Sequence, residues 1–399
     1  MRSPKRTDYL RQLQQASPLQ PGCPALPHGR LYSSSPPAAL AAPVTVWLSR
    51  DQPRAGQQSP AWVTASEYED SPEALSEKVG RLVELLEVSE RTVLYTGAGI
   101  STAAGISQAA RSGRKISGGK KKEARPTVAH RALVALRERG LLHTWLQQNH
   151  DGLPQKAGWP QEDIVEIHGS WFDPSNPVVK YDGDLREDLY QRMRRAEEEA
   201  DLVIVIGTSL SGLTSDQVAA SCARRSLEGT SLGTVIINLQ QTSSDLTASL
   251  RIFCPADRVL EAVLARLATS LPLPAPSLAV PPEERAAVPY DRSGRRTRGA
   301  RLMVLDLRPG QAIRLNPAHN CQGARQPLFL HIGAEGRREG RGTVVGFSPS
   351  KAAWDLKVEG ASMLLGGWWL QAAVRGNLET IPVININPSY SDLQSQQAH

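Results

Sequence analysis

Val93-Leu94-Tyr95-Thr96-Gly97-Ala98-Gly99-Ile100-Ser101-Thr102-Ala103-Ala104-Gly105-Ile106 is the stretch on which the fold turns. Val93 to Thr96 is a short apolar, β-branched and aromatic run, the pattern of a strand buried on both faces. Gly97 and Gly99 predict a tight turn in which backbone approaches a ligand closely. Ser101 and Thr102 are residue types that cap a following helix, whose free N–H groups and positive dipole end suit an anion. A strand, a glycine turn and a helix start are the parts of a dinucleotide phosphate cradle. Short Gly-x-Gly runs also make ordinary turns, so the flanking chain decides between the two.

Outward from this stretch, strands and helices alternate. Ser71-Pro72-Glu73 is a helix start, and Leu75, Val79, Leu82, Val83 and Leu86 recur at helical spacing behind it. Downstream, Ser107 to Arg125 is a basic, glycine-containing stretch, which reads as a solvated loop or as a flap over a phosphate-bearing ligand. Pro126-Thr127 caps a helix with Ala129, Leu133, Leu136 and Leu142 on one face. Trp145-Leu146 reads as a strand ending in the polar cluster Gln147 to Gly152, and Ile164 to Ile167 as one closing on His168. A charged helix is expected over 185–200. Leu202 to Ile206 is a buried strand delivering Gly207-Thr208-Ser209-Leu210, Val235 to Asn238 is another, and Val259 to Leu267 is a closing helix. Polar clusters fall repeatedly at strand C-termini. The expected fold is α/β: a doubly wound, parallel-sheet, Rossmann-like NAD-binding domain over 61–269.

The remainder differs in composition. Residues 1–60 are rich in Pro, Ser, Gln and Ala and poor in acids, which predicts a disordered segment, with an organelle transit peptide as the functional alternative. Residues 270–298 read as a Pro- and Ala-rich linker that becomes strongly basic from Arg292 to Arg301. Over 299–390, β-period runs separated by Gly- and Asn-rich turns predict a small all-β domain, including strands at 327–331 and 362–369, followed by a tail over 391–399. Trp368 and Trp369 read as core. The chain has 399 residues, a formal net charge of +6 and 40% hydrophobic residues, enough for two cores, without an apolar run of the length a membrane span needs. Its four cysteines, Cys23, Cys222, Cys254 and Cys321, form no Cys-x-x-Cys pair, so neither a disulfide scaffold nor a zinc ribbon is expected.

Five strand-end motifs, in this order, resemble the sirtuins, NAD-dependent protein lysine deacylases. They are Thr96 to Ser101, Gln148-Asn149-x-Asp151-Gly152, His168-Gly169, Gly207-Thr208-Ser209-Leu210 and Ile237-Asn238, and with their flanks they cover about residues 67 to 268. The resemblance is closest to the chromatin-associated branch. It implies a cradle for the pyrophosphate at Gly97, Ala98, Gly99, Ile100 and Ser101. Gln148 and Asn149 hold the nicotinamide ribose, Asp151 the carboxamide, Thr208 and Ser209 phosphate and ribose, and Asn238 with the backbone near Cys254 the adenosine end. His168 is then the general base, suited by an ordinary pKa of about 6.5, and Val179, Tyr181 and Gly183 lie in a strand that pairs with an acyl-lysine peptide. Each residue also has a plainer reading: His168 as a strand-end histidine, Asp151 as a turn former before Gly152, Asn238 and Ser209 as strand-end caps.

The departures are as informative. Gly105-Ile106 is followed by Ser107-Gln108-Ala109-Ala110-Arg111 where the family has Pro-Asp-Phe-Arg, so the shielding aromatic is missing and Arg111 alone stands in for the arginine. His150 replaces an aliphatic residue. Ser170 to Pro177 occupies the place of the zinc module, so NAD is the expected cofactor and zinc is not expected. The resemblance implies a deacylase giving nicotinamide and O-acyl-ADP-ribose, acting on an acylated lysine protein or peptide, with chromatin or nucleic-acid proximity, no membrane, and a nuclear or cytoplasmic location. The alternatives are a non-catalytic NAD- or ADP-ribose-binding module, and an NAD hydrolase or ADP-ribosyltransferase, because loss of the aromatic admits water to an activated ribose.

Overall fold

The computed structural model describes residues 4–33, 40–50, 63–106, 121–179, 183–272, 284–299, 301–316, 319 and 340–392. The chain forms two compact units. One comprises residues 1–119, 126–148 and 192–273, the other residues 120–125, 149–191 and 274–399.

The first unit is built on parallel strands. In chain order its elements are α1 (Pro4–Gln15), β1 (Val44–Trp47), β2 (Glu67–Glu69), α2 (Pro72–Val88), β3 (Thr92–Thr96), α3 (Val128–Glu138), β4 (Thr144–Gln147), α4 (Glu187–Glu199, shared with the other unit), β5 (Leu202–Ile206), α5 (Gln217–Leu227), β6 (Gly233–Ile237), β7 (Leu250–Ile252) and α6 (Ala256–Arg266). The parallel strands lie in the order β4-β3-β5-β6-β7. Every residue of β3, β5 and β6 is buried, as runs covered on both faces must be. From β3 the chain goes to β4 on one side and later to β5 on the other, so order reverses at β3. In open α/β sheets the crevice at that reversal is where ligands bind. Ser71 caps α2 through a hydrogen bond from the Ala74 N–H (3.2 Å), and Leu75, Val79, Leu82 and Leu86 are buried as the spacing predicts. Helices α2 and α3 pack on α6, and α1 packs on α5.

The expectation of disorder over 1–60 fails at residues 4–33. Leu13 of α1 is fully buried, Arg6 forms an ion pair with Asp201, and buried Arg30 donates to the Ala16 carbonyl (3.0 Å, from Nε) and the Ser226 hydroxyl (2.6 Å). Composition misled because this segment is anchored by arginine hydrogen bonds as much as by apolar area.

The second unit contains two antiparallel sheets. Strands β8 (Arg285–Val288), β9 (Arg301–Asp306) and β15 (Ser389–Asp392) form one, in the order β15-β9-β8; β10 (Ala312–Leu315), β11 (Arg341–Ser348), β12 (Ala353–Val358), β13 (Ala361–Gly366) and β14 (Val383–Asn385) form the other, in the order β13-β12-β11-β10-β14. The linker expectation over 270–298 is therefore corrected: β8 is a strand of this unit. So is the expectation of a strand over 362–369, because the chain leaves β13 at Gly366 and enters helix α7 (Gly367–Arg375). Trp368 and Trp369 are core, as read, beside fully buried Trp354. The strand expected at 327–331 lies outside the described residues.

A further correction concerns the domain boundary. Phe172 belongs to the same apolar core as Trp354 and Trp368, its ring 5.3 Å from that of Trp368, and the Gly366 N–H donates to its carbonyl (3.0 Å). The segment 149–191 thus contributes to the core of the C-terminal β elements.

Candidate functional site

In the first unit the residues after β3, β4, β5 and β6 meet, held by contacts between their own backbones and side chains. The Gly99 N–H donates to the Gly207 carbonyl (2.7 Å), and a Cβ on Gly99 would sit 2.5 Å from the Gly207 Cα. Gly207 has φ +65°, and its own Cβ would lie 2.5 Å from the Ile100 nitrogen. Glycine is required here because two strand-end loops touch backbone to backbone. A Cβ on Gly97 would meet the Thr208 Cβ at 2.7 Å. The expectation of an α-helix capped by Ser101 or Thr102 is not met. Ala98–Ala104 is a 3-10 turn whose N-cap is Gly97, Ser101 is fully buried, and Gly105 ends the turn at φ +78°.

Beneath the turn lies a buried polar network that periodicity could not reveal. In the sequence Tyr95 is one aromatic residue of a strand run. Its hydroxyl lies 2.7 Å from the Ser215 hydroxyl and donates to Asp216 (2.7 Å), and it accepts from the Gln148 side chain. Gln148 also donates to the Thr208 hydroxyl (3.1 Å). Burial pushes both the Tyr95 hydroxyl and the Asp216 carboxyl above their ordinary pKa ranges. Gln148 and Thr208, two expected cofactor residues, are thereby oriented from below. Ser209 is exposed, and Leu210 beyond it takes φ +50°, a conformation leucine rarely adopts.

A cleft of about 250 Å³ opens beside the turn. Gly99, Ile100, Gly207, Asn238 and Cys254 line it together with two acids absent from the expected set, Glu67 and Asp257. Asn238 donates to the Thr208 and Gln240 carbonyls (3.3 and 3.1 Å), and fully buried Arg251 donates to the Asn238 carbonyl from below (2.9 Å). Burial pushes the Cys254 thiol up to about 12, which removes it as a nucleophile at neutral pH. Among the described residues no lysine or arginine lines the cleft. Its acceptors suit ribose hydroxyls, while a phosphate there would rest on backbone N–H groups and on the first turn of α6, which contributes Pro255, Ala256 and Asp257.

The second unit holds the other expected residues. His168 is half-buried in the turn after the short strand Ile164–Glu166, and its carbonyl accepts the Val179 N–H (2.9 Å). Gly169 has φ +91°, and a Cβ there would strike the Pro177 carbonyl at 2.2 Å. Two bonds join this turn to the segment Asn149–Asp151: His150 Nδ1 lies 2.9 Å from the Gly169 carbonyl, and the Trp171 N–H donates to the His150 carbonyl (2.9 Å). Buried Asp151 accepts the Leu153 N–H (3.0 Å), so its turn-forming role is real. Glu166, fully buried, has its carboxyl pushed up to about 7 by burial, with the Asp173 and Asp151 carboxylates adding to the effect. Val178, Val179 and Gly183 do not form the expected strand; Tyr181 and Arg111 lie outside the described residues. Among the described residues no cluster of histidine, cysteine and acids suits a metal ion, and no helix is long and apolar enough to cross a membrane.

A doubly wound parallel sheet with a cleft where strand order reverses defines a nucleotide-binding class of protein. No family model matches the chain. Among known proteins it is 32% identical over 251 residues to the NAD-dependent protein deacetylase SRT1 of Oryza sativa subsp. indica, covering 51% of each chain. It is 30% identical over 263 residues to the NAD-dependent protein deacetylase Sirt6 of Drosophila melanogaster, covering 52% of this chain and 81% of that protein. A solved Sir2 complex with p53 peptide and NAD+ aligns at 23% identity and a TM-score of 0.42, covering 48% of this chain and 98% of that one. The chain belongs to the sirtuin family. It spans about half the length of the rice relative.

Proposed function

We propose that the chain is an NAD-dependent protein lysine deacylase that releases nicotinamide and O-acyl-ADP-ribose. The observation that carries this reading is the pair of hydrogen bonds fastening the Asn149–Asp151 segment to the His168–Gly169 turn, in a chain whose relatives are named NAD-dependent protein deacetylases. NAD, when bound, supplies an anomeric carbon with nicotinamide as its leaving group. Gly99, Gly207, Asn238 and the backbone at Cys254 hold the nucleotide, with Glu67 and Asp257 accepting from ribose hydroxyls. Asn149 orients the nicotinamide ribose and Asp151 the carboxamide. His168 would take a ribose hydroxyl proton after the acyl oxygen of the modified lysine has displaced nicotinamide at the anomeric carbon.

The test is nicotinamide release from NAD with an acetyl-lysine peptide. Loss of a general base costs about 10²- to 10⁴-fold, so His168→Ala is expected to fall by that much while calorimetry shows unchanged ADP-ribose affinity. Equal release by both proteins removes His168 from the role. Tight ADP-ribose binding without turnover on any acyl peptide replaces the enzyme with a binding module. Release that needs no peptide makes it an NAD hydrolase, the outcome that absence of the shielding aromatic after Ile106 favours.

A further inference from the structure

The polar network beneath the glycine turn has a direction, set by the one member that can only accept. Asp216 stands at the start of α5, and its Oδ2 accepts the Gly212 and Leu213 N–H groups (2.8 Å each). Burial opposes ionisation of this group, whereas those two donors, the Tyr95 hydroxyl and the positive end of the α5 dipole favour it and hold it as a carboxylate. A carboxylate has no proton to give, so the Tyr95 hydroxyl donates to Oδ1 (2.7 Å). With that proton spent, the Tyr95 oxygen accepts from Gln148 Nε2, and the Ser215 hydroxyl at 2.7 Å fills its other lone pair. The second N–H of Gln148 goes to Thr208 Oγ1 (3.1 Å), which also accepts the Leu210 N–H (3.4 Å).

The orientation of the Gln148 amide follows from this chain of donors, since its oxygen and nitrogen are told apart by their partners. Both of its N–H groups are turned to the protein, and its carbonyl Oε1, in long contact with the Thr208 hydroxyl (3.4 Å), is the group left to meet a ligand. Thr208, whose oxygen already accepts twice, keeps its own proton to donate. We infer that Asp216, acting through Tyr95, is a positioning residue that sets the hydrogen-bond polarity of the nucleotide site. Gln148 thereby presents an acceptor, which reads a ribose hydroxyl, and Thr208 a donor, which reads a phosphate oxygen. The inference rests on Gln148 and Thr208 being cofactor residues; what it adds is two buried residues beneath them, Tyr95 and Asp216, that decide which ligand group each one takes. Linked hydrogen bonds polarise one another, so the carboxylate also strengthens Gln148 Oε1 as an acceptor.

The test is binding alone, without turnover. ADP-ribose is titrated calorimetrically into the full chain, beside two analogues that lack the 2- or the 3-hydroxyl of the terminal ribose. Loss of one hydrogen bond corresponds to about 3- to 10-fold in affinity, so the wild type is expected to bind at least one analogue more weakly by that ratio. In Asp216→Asn the amide oxygen takes the Gly212 and Leu213 N–H groups and the amide nitrogen donates to Tyr95. The Tyr95 proton then turns to Gln148 and reverses its amide, and the ratio is expected to fall below about 2-fold. Tyr95→Phe is expected to do the same, and it leaves the Gly212 and Leu213 bonds in place should the first variant melt early. Because the ratio compares ligands on one protein, a loss of folded material does not move it. An unchanged ratio in both variants, or no discrimination by the wild type, overturns the assignment while nucleotide binding stands. Failure to bind ADP-ribose at all overturns the nucleotide site together with it.

Discussion

His150 shows how much one side chain can decide. Its acceptor is a carbonyl, so Nδ1 carries the proton, and that donor fastens the turn holding His168 to the segment holding Asn149 and Asp151. His150→Val removes the donor and leaves the Gly169 carbonyl short of a partner. The expected cost is about 0.5–1.5 kcal/mol in urea unfolding, with nicotinamide release falling more than ADP-ribose affinity. His150→Asn, which retains a donor, is expected to recover part of the turnover. If His150→Val matches wild type in both assays, the bond has no positioning role. His168, Asn149 and Asp151 were legible as polar residues at strand ends. The bond from His150 was not, since it joins residues 19 apart through a turn that periodicity does not encode.

At the scale of the element, the start of α3 carries a pH dependence. Thr127 and His130 form a reciprocal capping box: His130 Nδ1 accepts the Thr127 N–H (3.4 Å) and the Thr127 hydroxyl accepts the His130 N–H (3.5 Å). Burial lowers the His130 pKa to about 3, and that of His28 in the same unit to about 4. Between those values and the ordinary value of about 6.5 the unfolded chain binds more protons than the folded one. The share of stability that these two histidines contribute is therefore full above about pH 6.5 and declines as pH falls toward 4. His130→Gln keeps an acceptor at the third helical position and removes one titration, so its denaturation midpoint, followed from pH 7 to 4.5, is expected to fall less steeply than that of wild type. Parallel profiles would mean His130 does not contribute. The caps at Ser71 and Thr127 were legible because capping chemistry is local. The β13-to-α7 transition was not: Gly366-Gly367-Trp368-Trp369 satisfies strand and helix patterns alike until packing against Phe172 selects the helix.

For the whole molecule, the alternating strands and helices were readable because each buried strand is a continuous apolar run, whereas the division into units was not. Phe172 and Trp171 follow the histidine turn in sequence but pack with residues roughly two hundred positions away, a pairing no local pattern signals. The histidine turn consequently depends on the C-terminal core. Trp368→Ala is expected to cost about 3–5 kcal/mol, the usual range for emptying a buried tryptophan site, and to abolish nicotinamide release. An unfolding transition that shifts while turnover persists would show that the turn stands without that core.

Among the described residues the cleft beside Gly99 is walled by acids and amides, with no lysine or arginine. A guest gripped by amides and hydroxyl acceptors releases few counterions, so its affinity is expected to hold nearly constant across a chloride series.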